Sequence, residues 1–279
     1  LPIFAVSRGP RAGAAVGLLG GAAMVVRPAN AFLVAAVLAV LAREDRRSAG
    51  RALLWMLPAV AFQTTISTLT FGTPLFAGGP VPLGSVWEGA LGQLISPSRG
   101  LLGYSPWRVV PLAALAGSWR GGADRDRWML RFGSIAWVGA WMLFGAYAEW
   151  WGGFTFGNRY MSDFAPLYAL GLADAWRRGW MGHWLARACL AAAIGWAILL
   201  HAVGAGLYRF AWNGVHWDLT PHIDATPSRL WLWTDTQWQF LLRRLVTDPG
   251  PAMIFEGAVI LACIAAFAIL GRRASGRVA

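Results

Sequence analysis

Lysine is absent from this chain of 279 residues, and Asp and Glu together number only 13, so charge is scarce throughout. Only 13% of the residues are charged, whereas a soluble domain carries about 25%. Hydrophobic residues make up 57% of the chain, with 18 Trp and 34 Gly. This composition excludes an ordinary soluble domain. It predicts an all-α, polytopic transmembrane helical bundle.

Cysteine is equally scarce, and its placement excludes two kinds of site. Cys189 and Cys263 stand singly inside apolar segments, with no C-x-x-C partner and no metal-ligand spacing. Both are therefore interpreted as small core residues. The net charge of +11 comes from arginines that follow the loops, so we expect no nucleic-acid partner.

Hydrophobic runs separated by Arg-bearing, Gly- and Pro-rich connections predict about eight spans. They are Ala12–Val26, Ala29–Leu41, Ala52–Thr70, Leu101–Trp119, Phe132–Tyr147, Phe164–Trp176, Ala188–Tyr208 and Ala252–Leu270. Some are shorter than the ~20 residues that a perpendicular span requires. The first two flank Arg27-Pro28, and because proline breaks a helix, one bent helix is the alternative there.

The distribution of arginine predicts the orientation in the membrane. Strict alternation of eight spans puts 16 of the 24 arginines on one side, in short loops and at both ends. By the positive-inside rule this side is cytoplasmic, and the C-terminus lies there. The long loops Phe71–Gly100, Ala148–Asp163 and Arg209–Pro251 then fall on the outer, periplasmic side of the plasma (inner) membrane. Their length and polarity exceed what a simple connection needs.

The first of these loops ends in Ser96-Pro-Ser-Arg-Gly100, followed by Tyr104-Ser-Pro106. Arg99, Ser98 and the N-terminus of the following helix form a candidate anion site, because exposed N–H groups and the helix dipole favour negative charge. The alternative is a helix start beside an arginine that reaches toward the membrane surface.

The most polar stretch between two apolar segments runs from Glu149 to Asp163. Gly152, Gly153 and Gly157 permit positive φ or a close approach of the backbone to a ligand. Arg159 offers a planar fork of five N–H donors suited to phosphate. Asp163 follows four residues later, and a simple ion pair with Arg159 is the alternative. Glu149 is the best placed carboxylate for an acid/base role.

The third loop carries four potential metal ligands, at His216, Asp218, His222 and Asp224. Their spacing matches no strong template, so no metal site is predicted. We expect this loop to fold over the outer opening, with its aromatic side chains stacked on a sugar face or on a neighbouring loop. His183 and His201 are interpreted as a loop residue and an isolated intramembrane polar residue.

Several motifs together resemble one family. They are Arg27-Pro-Ala-Asn30, Phe71-Gly-Thr-Pro74, Ser96-Pro-Ser-Arg-Gly100 with Tyr104-Ser-Pro106, Trp150-Trp-Gly-Gly-Phe-Thr-Phe-Gly-Asn-Arg-Tyr160, and Arg229-Leu-Trp-Leu-Trp233 with Asp235 and Gln237. The chain resembles the C-terminal two-thirds of bacterial GT-C superfamily membrane glycosyltransferases, the protein-mannosyltransferase-like group called family 39. Asn158 departs from the family pattern, which commonly has proline there.

The resemblance implies an inverting transfer of a sugar from a polyprenyl-phosphate carrier to an acceptor at the outer membrane face. It also implies Arg159, Arg99, Asn158, Gly153 and Tyr104 as residues that bind substrate or phosphate. No cofactor is implied, and a divalent cation is left open. The catalytic residue is not identified, with Glu149 and Asp163 as weak candidates.

The family's usual catalytic carboxylate lies in an acidic loop after its first span, and no such loop precedes Ala12. We therefore expect residues 1–279 to form a single transmembrane domain that is a piece of a longer transferase. A transporter or flippase for a lipid-linked or anionic substrate is the alternative function, since broken spans suit it. A membrane scaffold is a third, for which long polar outer loops are unnecessary.

Overall fold

The computed structural model describes residues 10–73, 82–120, 122, 125–153, 155–211, 223 and 225–247. Within these residues the secondary structure is helical, as predicted, and no strand occurs among them. A lone antiparallel bridge joins Leu83 to Tyr147. The last predicted span, Ala252–Leu270, lies outside the described residues.

The described residues form ten α-helices joined by loops and short 3₁₀ turns. The helices are α1 (Pro10–Val26), α2 (Ala31–Glu44), α3 (Arg46–Phe71), α4 (Val86–Ile95), α5 (Leu101–Tyr104), α6 (Val109–Gly117), α7 (Arg125–Gly145), α8 (Ala165–Arg177), α9 (Trp184–Ala211) and α10 (Gln237–Thr247). The 3₁₀ turns are Pro28–Asn30, Pro106–Arg108, Tyr160–Phe164 and Pro227–Trp231.

The chain breaks completely between α1 and α2. Arg27 is extended, with φ −150° and ψ 112°, as expected for a residue before proline. Pro28 then starts a 3₁₀ turn, and the Asn30 side chain donates a 2.9 Å hydrogen bond to the Ala23 carbonyl. The two segments are thus separate helices rather than one bent helix.

Helix α1 packs closely on α3 through glycines spaced four residues apart. Gly13, Gly17 and Gly21 share one face of α1, because residues four apart lie on the same side of a helix. A Cβ at Gly17 would lie 2.7 Å from Trp55 Cβ, and one at Gly21 would lie 2.7 Å from Ala59 Cβ. Small residues let the two backbones approach closely, as in membrane helix pairs.

The predicted span Leu101–Trp119 is not one helix. It is divided into α5, the Pro106–Arg108 turn and α6. Proline disfavours a helical conformation in the residue before it, and Ser105 accordingly has φ −144° and ψ 66°. The helix is therefore interrupted where an uninterrupted span was predicted.

Two helices lie in stretches predicted to be loops, α4 and α10. Ser85 caps α4, its hydroxyl accepting a 3.3 Å hydrogen bond from the Glu88 N–H. Thr236 caps α10 in the same way, through the Gln239 N–H at 3.3 Å. Both sequences, S-x-x-E and T-x-x-Q, match the capping-box pattern, which is the signal that could have predicted these helices.

Two described helices are long and apolar enough to cross a membrane: α3, and the first 22 residues of α9 at Trp184–Ala205. The apolar stretch Ala12–Val26 is shorter. Only 17% of the most apolar part of α3 is buried within the protein, and 28% of that of α9. These two helices have the length and composition that membrane-crossing helices require, while the count of eight stays a prediction.

Connections meet at two opposite ends of the helical bundle. At one, the arginine-rich end, Glu44 pairs with Arg125 at 2.9 Å and Asp126 with Arg177 at 2.7 Å. At the other, the loop end, Arg27 pairs with Asp163. Helix α7 runs from one end to the other, and its 21 residues span about 30 Å.

Candidate functional site

Three loop segments that are distant in sequence meet at the loop end. They are 96–104, 155–158 and 230–238, and we call their contact the loop junction. Each belongs to a motif that the sequence analysis selected. The motifs of the three long loops therefore lie together in space, although nothing local in the sequence links them.

Gln237 joins all three segments. Its Oε1 accepts hydrogen bonds from the Tyr104 hydroxyl and from the Gly157 N–H, both at 3.3 Å. Its Nε2 donates to the Thr155 carbonyl at 3.0 Å. The side chain is buried, so each of these bonds contributes about 1 kcal/mol and leaves a costly unsatisfied group when broken.

Ser96 ties the first segment to the third. Its hydroxyl donates a 2.7 Å hydrogen bond to the Leu230 carbonyl and accepts from the N–H groups of Ser98 and Arg99, each at 3.2 Å. The Ser98 hydroxyl donates to the Asp235 carbonyl at 3.3 Å. The Ser-Pro-Ser turn is therefore a structural anchor for the third loop.

Arg99 lies inside the junction rather than on its surface. It is 1% exposed, and its Nη1 donates to the Ser98 carbonyl at 3.4 Å. The Tyr104 hydroxyl shares its single proton between the same carbonyl, at 3.0 Å, and Gln237 Oε1, and the Tyr104 ring contacts Phe156 edge to face. The helix that follows, α5, has only four residues, where the sequence predicted one long span.

The glycine-rich segment, residues 152–158, packs against the loop junction. Gly152, Gly153 and Gly157 all have positive φ, as predicted. At Gly157, where φ is +67°, a Cβ would lie 2.9 Å from Cδ1 of Tyr104. Asn158 donates a 2.8 Å hydrogen bond to the Gln93 carbonyl and accepts one from the Met161 N–H at 3.1 Å. Its amide therefore fixes the loop to α4.

Arg159 projects at the surface beside the junction. Its side chain is exposed, and its guanidinium carbon lies 5.8 Å from the centre of the Tyr160 ring. No carboxylate forms a salt bridge with it in the described part of the chain. Its planar donor fork is thus available to an anion.

Asp163 pairs with Arg27, not with Arg159, so the ion pair considered from the sequence is replaced by a different one. Arg27 Nη1 contacts Asp163 Oδ1 at 2.5 Å and donates to Ser162 Oγ at 3.3 Å. This pair joins the α1–α2 connection to the α7–α8 loop. Arg27 was not predicted as a site residue, although the Arg-Pro pair at the end of a span marked the position.

These charged groups are close enough to affect one another's pKa. Burial raises the pKa of Asp163 above its usual value, and the charges of Arg27 and Arg159 oppose that rise. Burial also raises the pKa of Tyr160. The charge of Arg159 opposes this rise, whereas Tyr147 and the exposed Glu149 raise the pKa of Tyr160 further. We call Arg27, Glu149, Arg159, Tyr160 and Asp163 the arginine rim.

An apolar cavity of about 260 Å³ lies among the helices that lead to the arginine rim. It lies between α1, α2, α7 and α8, and its lining includes Leu19, Ala23, Val34 and Pro166. Ala23 is one helical turn before Arg27, and Pro166 is three residues after Asp163. The cavity therefore comes within about one helical turn of the Arg27–Asp163 pair along the chain, although no rim residue lines it.

The remaining predicted residues have simpler surroundings. Gly153 has φ +66° with nothing within 4 Å of where a Cβ would be. Arg229 forms a 2.7 Å ion pair with Asp235, which joins the two ends of the turn at residues 229–235. The sequence assigned no role to Gln237, and its place within the resembling Asp235–Gln237 motif was the signal for it.

No group of three or more His, Cys, Asp or Glu side chains that could hold a metal occurs in the described ranges. The four potential ligands His216, Asp218, His222 and Asp224 lie outside those ranges. Cys189 is a free, exposed thiol on α9, rather than the core residue expected.

Comparisons with protein-family models, with curated proteins and with solved structures gave no match for this chain.

Proposed function

We propose that this chain is a multi-pass plasma-membrane protein whose loop end faces the periplasm. The apolar surfaces of α3 and α9 support placement in a membrane, because exposed apolar surface of that extent must be shielded from water. The separation of the two ends supports the orientation, because the short arginine-bearing connections meet at one end and the long loops at the other.

This placement predicts the accessibility of two positions. In a variant that carries Cys189→Ser and Cys263→Ser, Glu149→Cys should react with a membrane-impermeant maleimide on intact spheroplasts. Gly182→Cys, in the exposed turn between α8 and α9, should react only after the membrane is permeabilised. The reverse pattern would overturn the orientation, and with it the outward-facing site.

We further propose that the protein is a GT-C-type glycosyltransferase that takes its sugar from a polyprenyl-phosphate carrier. The observation that carries this proposal is the exposed guanidinium of Arg159 at the loop end, together with an apolar cavity that comes within about one helical turn of the neighbouring Arg27–Asp163 pair. A lipid-linked sugar phosphate combines an anionic group with a hydrocarbon chain, and the rim and the cavity match those two parts.

The charged groups of the rim suit an inverting transfer. Departure of the polyprenyl phosphate develops negative charge, which a preorganised guanidinium stabilises. Arg159 is the residue proposed for this role because its side chain is exposed and forms no salt bridge among the described residues, whereas the charge of Arg27 is paired with Asp163. One base must activate the acceptor hydroxyl. Glu149 is the better candidate because it is exposed, whereas Asp163 is already paired with Arg27.

One observation favours the alternative of a transporter or flippase. The segment from α5 to α6 is broken into short helices, and discontinuous helices are typical of transporter binding sites. A transporter would move its substrate across the bilayer without changing it.

A single assay separates the two functions. Membranes that contain the complete gene product are supplied with radiolabelled polyprenyl-phosphate sugars and with periplasmic extract as a source of acceptors. Transferase activity converts the label to a product that no longer partitions with the carrier lipid. Movement of unchanged lipid-linked sugar between leaflets, with no product formed, would instead establish transport.

A further inference from the structure

A second groove, of about 370 Å³, opens on the side of the protein between α8, α9 and the Pro106–Arg108 turn. Its polar lining comes from Ser105, Arg108 and His201, and its apolar lining includes Leu172, Ile194 and Ile198. None of the arginine-rim residues lines it. The groove is thus separate from the site described above.

Arg108 supplies positive charge to this groove. Its guanidinium carbon lies 4.8 Å from the centre of the Tyr168 ring and 5.8 Å from that of Trp107. Its buried Nε has no hydrogen-bond partner, and no carboxylate pairs with it among the residues described. The aromatic faces hold the cation in place without neutralising it.

Two further polar groups lie beside Arg108. Ser105 Oγ and His201 Nε2 are 3.3 Å apart, and both side chains line the groove. When His201 Nε2–H donates to Ser105 Oγ, the Ser105 hydroxyl is left to donate, so this pair supplies one hydrogen-bond donor to the groove. Together with the guanidinium it forms a set of donors suited to an anion, with no acidic side chain in the groove lining.

The apolar side of the groove continues onto the exposed face of α9. Ile198 and Leu199 are each 43% exposed there. His201 is roughly 25 Å along α9 from Trp184, at 1.5 Å per residue. Ser105 directly follows Tyr104 of the loop junction. In the proposed placement the polar groups therefore lie toward the outer leaflet, and the apolar face below them contacts lipid chains.

We propose that this groove binds the phosphate headgroup of an anionic membrane lipid, with its acyl chains lying along α9. A soluble anion would gain nothing from Ile194 and Ile198, whereas a lipid matches the donors with its phosphate and the apolar wall with its chains. The proposal rests on the membrane placement proposed above but not on sugar transfer.

The test measures binding of phosphatidylglycerol to the purified complete protein in neutral detergent, by native mass spectrometry. Phosphatidylcholine and inorganic phosphate are the comparison ligands. We expect Arg108→Gln to weaken phosphatidylglycerol binding by roughly 10- to 100-fold, the effect of removing a charged donor. Arg108→Lys should weaken it less. Arg187→Gln, the same kind of change at the opposite end of α9, should leave binding unchanged.

A second variant keeps the charge and fills the groove. Ile198→Trp, at the exposed mouth, should also exclude the lipid, so the test stands even if Arg108→Gln does not fold. Equal binding of phosphatidylcholine, binding of inorganic phosphate as tight as that of the lipid, or unchanged binding in both variants would overturn the proposal. If the protein binds the lipid but shows no transferase activity, the proposed enzyme function is contradicted and the proposed lipid site is not.

Discussion

Replacing Arg159 with alanine is expected to lower sugar transfer by at least about 100-fold, the effect of losing one preorganised donor to a developing oxyanion. The side chain is exposed beside Tyr160 and forms no salt bridge within the described residues, so its removal leaves no buried charge behind. Insertion and folding should therefore be retained. The measurement is kcat/KM for transfer from a labelled polyprenyl-phosphate sugar in proteoliposomes.

Two further variants give this experiment its specificity. Arg159→Lys keeps the charge but loses the planar fork, so it should recover only part of the activity. Arg243→Gln, which removes another exposed arginine from α10, should transfer at the normal rate. Normal turnover by Arg159→Ala would remove the residue from the site. Equal losses in Arg159→Ala and Arg243→Gln would indicate a general effect of surface charge.

Gly157→Ala is expected to destabilise the loop junction by a few kcal/mol, through backbone strain and a steric clash together. The residue has φ +67°, which costs a non-glycine residue about 1–2 kcal/mol. The added Cβ would also lie 2.9 Å from the Tyr104 ring. Displacing that buried ring adds about 1–3 kcal/mol and disturbs the hydrogen bond from Tyr104 to Gln237. Thermal unfolding in detergent, followed by tryptophan fluorescence, measures the combined loss.

Gly153→Ala is the matched control for this prediction. Gly153 lies in the same loop with nearly the same φ, +66°, but nothing lies within 4 Å of its missing Cβ. It should show the backbone strain alone, about 1–2 kcal/mol. The difference between the two variants measures the contact with Tyr104. Equal destabilisation by both would mean that the loop junction does not depend on this packing.

The helical class of the described residues was predictable, because apolar composition and helix signals are local properties of the sequence. Where the prediction failed, a local signal was present in the sequence but was not used. The Ser85 and Thr236 capping boxes were missed because their helices are short and lie in stretches interpreted as loops. The predicted span Leu101–Trp119 ignored Pro106, at which the helix is interrupted within a continuous apolar run.

The motif residues were selected from the sequence, but their partners were not. Asp163 had a plausible partner four residues away in Arg159, yet it pairs with Arg27, 136 positions distant. Arg99 and Arg159 had the same predicted role, and only the structure distinguishes them: Arg99 is buried in the loop junction and Arg159 is exposed.

The sequence by itself determined the apolar helices, the glycines with positive φ and the polar loops, since each depends on neighbouring residues in the chain. The tertiary structure decided which loops meet, as in the contact of Gly157 with Gln237, 80 positions apart. The physical reason is that a helix is stabilised by hydrogen bonds four residues apart, whereas the packing of helices sets which distant side chains can reach one another.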